Sequence, residues 1–139
     1  MGRVEDITLP TRFILTAAHL IATLTIVYDS DMTVYRATGT STGVSDDKMQ
    51  LEALAWTSIA CFIVEFLGMF SGVSLFVHSA NVTYIFLHFF GTVYVALFCF
   101  LHWDLDVFPW LAALFSFLPA TIEVGVAFAV YKLGVMQYK

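Results

Sequence analysis

Val82-Thr83-Tyr84-Ile85-Phe86-Leu87-His88-Phe89-Phe90-Gly91-Thr92-Val93-Tyr94-Val95-Ala96-Leu97-Phe98-Cys99-Phe100-Leu101 contains no Asp, Glu, Lys or Arg. Wound as an α-helix at 1.5 Å per residue, it reaches about 30 Å, the thickness of a bilayer's hydrocarbon core. The apolar residues run continuously, whereas barrel strands alternate over about ten residues, so the stretch reads as a membrane-spanning helix. Three more apolar stretches flank it, at about residues 13–28, 53–73 and 107–131. The chain of 139 residues is 60% hydrophobic and 12% charged, about half the charged share of an ordinary soluble domain. A soluble fold of this size could not bury so much apolar surface. The sequence therefore predicts a single all-α integral membrane domain over residues 1–139, a four-transmembrane-helix bundle.

The charged residues set the orientation. Arg3, Arg12, Lys132 and Lys139 flank the two ends of the chain, with Arg12 marking where the first helix enters the bilayer. By the positive-inside rule both termini are predicted to be cytosolic. The opposite side is acidic, carrying Asp29, Asp31, Asp46, Asp47, Glu52, Asp104 and Asp106 against Arg36 and Lys48. A net charge of −5 with only six basic residues, scattered along the chain, speaks against a nucleic-acid partner. Pro10 is expected just ahead of the first helix. The outer loop at 29–50, with the small polar run Ala37-Thr38-Gly39-Thr40-Ser41-Thr42-Gly43, reads as a mobile tether, with Val34 and Tyr35 near the headgroups. Asn81-Val82-Thr83 has the form of a glycosylation acceptor but falls in a short cytosolic turn, where it is expected to be unmodified. Cys61 and Cys99 lie in apolar runs, without metal-ligand spacing, and read as small packing residues.

Each span carries one strongly polar side chain well inside it: His19, Glu65, His88 and Glu123. Such groups are costly in lipid and should face partners. Counted from the span ends, all four fall about 9 to 12 Å below the cytosolic surface, in one layer. Helices one and two, and three and four, are then expected to bring a His opposite a Glu within each hairpin. The first reading is structural: His-to-carboxylate hydrogen bonds, each worth about 1 kcal/mol, hold the bundle in register. Two others stand beside it. Imidazole and carboxylate suit a transition metal, although no Glu-x-x-His pair of the di-iron type is present. Carboxylate and His chains also relay protons, although the outer part of the helices offers few polar steps.

Gly68 and Gly72, with Ser71 beside the second, form a GxxxG run that is expected to share a face with Glu65 and allow close helix approach, within the bundle, with another membrane protein or with a second copy. Pro119, four residues before Glu123, frees the carbonyl of Phe115 and is expected to kink the fourth helix. The sequence shows no catalytic constellation and no phosphate-binding loop; the prediction is of a protein that is not an enzyme, with no metal and no cofactor.

Met1-Gly2-Arg3-Val4, Arg12-Phe13, Ala18-His19-Leu20, the run from Glu65 through Gly68-Met69-Phe70-Ser71-Gly72 to Phe76, and Leu118-Pro119-Ala120-Thr121-Ile122-Glu123 together resemble the transmembrane protein 107 family. The resemblance implies a four-span assembly subunit of the ciliary transition zone. It would act within the Meckel-syndrome module with tectonic-type, B9-domain and other tetraspan proteins, helping to build cilia and the diffusion barrier that controls ciliary membrane composition. It implies membrane lipids as surroundings, no catalytic residue, and the run from Glu65 to Phe76 with His19, Pro119 and Glu123 as fold and assembly positions. The alternative class is a small membrane transporter or metal-binding membrane enzyme built on the His/Glu layer.

Overall fold

The computed structural model describes residues 2–39, 44–75 and 77–133. Helix α1 (Gly2–Tyr28) is followed by a short α2 (Ser30–Thr38), then α3 (Val44–Phe70) and α4 (His78–Leu101). A 3-10 turn at Leu105–Val107 leads into α5 (Phe108–Ala112), a π turn (Ala113–Phe117) and α6 (Leu118–Leu133), which together form one continuous helical rod. Four segments are long and apolar enough to cross a membrane: Ile7–Tyr28, Ser45–Phe70, His78–Leu101 and Leu105–Lys132. The chain is an all-α protein with four candidate spans, as the apolar runs predict.

Buried positions repeat every three or four residues. On α1 they are Arg12, Thr16, His19, Thr23 and Ile26; on α3, Leu51, Ala55, Ser58, Phe62, Glu65 and Met69; on α4, Asn81, Tyr84, His88, Gly91, Val95 and Phe98. This is the alternation of a helical bundle seam. The remaining faces carry exposed Ile14, Ile21, Ile63, Leu67, Phe86 and Phe128, the composition of a lipid-facing surface. Span one packs against α3 and α4, and span four packs against the same two helices. Spans one and four therefore lie across one diagonal of the bundle, and spans two and three across the other.

The interior changes character along its length. Toward the α2 end it is apolar: Ile26, Val34, Leu51, Ala55, Val95, Phe98, Phe108 and Leu111 form one core cluster. Helix α2 closes this end. Val34 is buried in the cluster, Ser30 Oγ donates to Glu52 at 2.5 Å, and Lys48 reaches Asp31 at 2.6 Å. The expected mobile tether is thus an ordered helix over Ser30–Thr38, ended by Gly39 in the left-handed conformation at φ 69°; residues 40–43 lie outside the described residues. Tyr35 is exposed and Val34 is not, so only the first has the exposure expected of a headgroup contact.

Three local expectations change. Pro10 lies inside α1 rather than ahead of it; the ring removes one N–H from the helical ladder, a loss that membrane-spanning helices tolerate. The α3 helix stops at Phe70, and Gly72 adopts φ 78° with its N–H bonded to Met69 O at 3.1 Å. Gly72 is therefore the turn that ends the helix, not the second half of a packing face. Ser71 is exposed and donates to Gly68 O at 2.9 Å. Gly72→Ala is expected to lose about 1 to 2 kcal/mol in an unfolding titration, the cost of a Cβ in the left-handed region, although a Cβ there meets nothing within 4 Å. At Pro119 the irregularity takes the form of the π turn immediately before it, where Leu118 N–H bonds to Ala113 O, a common way to absorb a break in the ladder. Thr121 Oγ1 donates to Phe117 O at 2.7 Å and to Leu118 O at 2.8 Å.

Candidate functional site

The end of the bundle away from α2 is filled by ionisable and polar side chains on two levels. Seven residues separate Arg12 from His19 on α1, and Asn81 from His88 on α4, so the levels are about 10 Å apart.

Arg12 organises the first level. It is 1% exposed. Its Nη1 donates to Ser74 Oγ at 2.9 Å and to Asn81 Oδ1 at 2.7 Å, and its Nη2 donates to Glu123 Oε2 at 2.9 Å. The guanidinium carbon lies 4.0 Å from the centroid of the Tyr84 ring, within cation–π range. One side chain thus ties α1 to the α3–α4 turn, to α4 and to α6. Asn81 completes the turn by donating Nδ2 to Leu75 O at 2.8 Å. The Asn81 amide of the Asn-Val-Thr sequence is therefore engaged on both its oxygen and its nitrogen.

The second level is a chain of titratable rings. His88 Nε2 lies 2.6 Å from Glu65 Oε2, and His88 Nδ1 lies 3.2 Å from His19 Nδ1. The His19 ring stacks edge-on to Phe62 at 4.8 Å. Thr23 and Thr92 return their hydroxyls to the His19 and His88 carbonyls one turn earlier.

Two glycines make room for these groups. A Cβ at Gly68 would overlap the Glu123 carboxylate, and a Cβ at Gly91 would overlap the His19 ring. Gly68 is thus a close-approach position, but what approaches is a carboxylate rather than a neighbouring backbone. Three buried oxygens, Glu65 Oε1, Glu123 Oε1 and Tyr84 Oη, have no hydrogen bond of good geometry among the described residues, although the Tyr84 hydroxyl lies near the Glu123 carboxylate.

The structure brings His19, Glu65 and His88 together and places Glu123 one level away. The pairing is not His opposite Glu within each hairpin. Glu65 meets His88 across one diagonal of the bundle, and Glu123 meets Arg12 across the other. Spacing along the chain could not give this, because which helices are diagonal depends on how the bundle closes. Arg12, Asn81, Ser74, Tyr84 and Gly91 are members of the site that sequence reasoning placed elsewhere or passed over. The signal for Arg12 was the stripe Arg12, Thr16, His19 and Thr23, polar at the bundle period. Among the described residues no group of three or more His, Cys, Asp or Glu is arranged to hold a metal ion.

A family model named TMEM107 and described as a transmembrane protein matches residues 8–127. The chain belongs to the transmembrane protein 107 family. It is 29% identical to Transmembrane protein 107 of Homo sapiens over 136 residues, 96% of each chain. With Transmembrane protein 107 of Xenopus laevis it shares 29% identity over 125 residues, 88% of this chain and 89% of the relative. The Rattus norvegicus protein of that name is 27% identical over 136 residues, 96% of each chain. No solved structure matches the chain. The transmembrane protein 107 match runs from before Arg12 to beyond Glu123, so it includes every member of the buried network.

Proposed function

We propose that this chain is a non-catalytic assembly subunit of the ciliary transition-zone membrane, with both termini in the cytosol. In this role it helps to organise the Meckel-syndrome module and the barrier that controls ciliary membrane composition. Family membership supports the reading, because the resemblance to transmembrane protein 107 implies a tetraspan partner of tectonic-type and B9-domain proteins. The structural observation that carries it is how the interior polar groups are engaged. Arg12 is bound to Ser74, Asn81 and Glu123, and His88 to His19 and Glu65. These contacts fix the helices against one another, and the outward faces, rich in Ile, Leu and Phe, are left for lipids and neighbouring membrane helices.

The transporter alternative needs a polar route through the bundle. Beyond the His/Glu level the interior holds the hydroxyls of Thr23, Ser58 and Ser116, of which Thr23 and Ser58 donate to carbonyls of their own helices, and then the apolar cluster of Ile26, Val34, Leu51, Ala55, Val95, Phe98, Phe108 and Leu111, which carries no ionisable side chain onward. Proximity labelling from a tagged chain expressed at native level in ciliated cells tests the proposal. Enrichment of tectonic-type and B9-domain proteins at the ciliary base is the expected result. A labelled set lacking them, from a chain correctly inserted in membrane, would overturn it.

A further inference from the structure

The buried network contains one guanidinium, two carboxylates and two imidazoles. From α1 come Arg12 and His19, from α3 Glu65, from α4 Tyr84 and His88, and from α6 Glu123. With both carboxylates ionised and both imidazoles neutral, the charges sum to −1, in a site enclosed by helices and surrounded by lipid. The single cation is committed. Arg12 lies 2.9 Å from Glu123, and its other nitrogen is bonded to neutral oxygens of Ser74 and Asn81. Among the described residues Glu65 receives no guanidinium hydrogen bond; its one side-chain hydrogen bond there is the 2.6 Å approach to His88 Nε2, and its Oε1 has no partner among them. A buried carboxylate with an unpartnered oxygen is unfavourable, whereas a neutral acid needs chiefly its O–H to be paired.

We propose that this network is a proton-binding site in which Glu65 holds one proton as a carboxylic acid, while Glu123 stays ionised as the counter-ion of Arg12. The hydrogen-bond directions close without a conflict. Glu65 O–H donates to His88 Nε2, His88 Nδ1–H donates to His19 Nδ1, and His19 carries its proton on Nε2. Removing one proton reverses the chain: His88 Nε2–H then donates to the Glu65 carboxylate, and His19 Nδ1–H donates to His88 Nδ1. One proton leaves, both imidazoles stay neutral, and the network changes from neutral to −1. The apolar cluster beyond His19 makes this a site that binds a proton without conducting it across the membrane. The two carboxylates, alike in burial, are thereby assigned different chemical states.

Infrared spectroscopy of the full chain in lipid nanodiscs at neutral pH tests this. Solvent-exposed acids are ionised there, so a protonated-carboxyl C=O stretch reports a buried acid. The expected result is such a band, lost in Glu65→Gln. Glu65→Gln should also unfold at or near the wild-type temperature, because its amide can donate to His88 Nε2 as the acid does, whereas Glu123→Gln should unfold markedly lower. Absence of the band in the wild-type protein, or its survival in Glu65→Gln, would overturn the proposal. If Glu65→Gln does not fold, His88→Asn takes its place. Exchanging the partner of Glu65 must then shift the band, and an unshifted band would overturn the assignment.

Discussion

Replacing Arg12 by methionine is expected to lower the unfolding free energy by about 3 to 5 kcal/mol, the usual cost of removing one member of a buried ion pair. The loss comes mostly from what remains. Glu123, 2% exposed, would keep a charge with no cation, while Ser74 Oγ and Asn81 Oδ1 would each lose a donor and the Tyr84 ring its cation. Methionine retains much of the arginine stem, so the change isolates the guanidinium from its packing. Chemical unfolding in bicelles followed by tryptophan fluorescence measures it. A loss below about 1 kcal/mol would show that the pair contributes no more than a surface salt bridge. The α3–α4 turn should loosen first, since Arg12 and Asn81 hold Ser74 and Leu75.

Gly68→Ala and Gly91→Ala are expected to cost about 2 to 3 kcal/mol each, at the upper end for inserting one methyl into a packed interior. In both cases the methyl would overlap a side chain that has nowhere easy to go. Glu123 is fixed to Arg12, and the His19 ring is held between His88 and Phe62. Moving either aside breaks a hydrogen bond in addition to the packing. Gly125→Ala is the control, because a Cβ there meets nothing within 4 Å and alanine is the better helix former by about 1 kcal/mol. It should leave the protein as stable as before or slightly more so. Equal effects at all three positions would mean that the glycines matter for backbone reasons and not for the space that they leave to Glu123 and His19.

The four spans were legible because their signal is local: a continuous apolar run long enough to cross a bilayer needs no knowledge of its neighbours. His19, Glu65, His88 and Glu123 were legible as positions for the same reason, since a polar group inside such a run stands out. Their pairing was not. Arg12 sits at the beginning of an apolar run, where a basic residue ordinarily marks the membrane edge, and Pro10 just before it reads as a helix start. The packing of α1 against α3 and α4 is what carries Arg12 into the bundle. Asn81 was read in a short turn, but it lies in the first turn of α4, and with Ser74 of the preceding turn it closes over Arg12. Gly72 illustrates the opposite error. GxxxG spacing assumes an unbroken helix, and α3 ends two residues before the second glycine. At 29–50 the glycine and threonine content suggested a tether, yet one turn of spacing puts Ser30 and Val34 on the same side, enough to dock a short helix on the apolar core.

Arg12 and Glu123 act as one unit across the bundle, and a double-mutant cycle measures that directly. Arg12→Met, Glu123→Met and the double variant are unfolded under identical bilayer-mimetic conditions. The expected result is that the double variant, which leaves no unpaired charge, is more stable than either single variant, which requires a coupling larger than either single loss, about 4 to 5 kcal/mol, within the range measured for close buried charge pairs. Additive losses, leaving the double variant the least stable of the three, would contradict the claim that this buried pair holds spans one and four together.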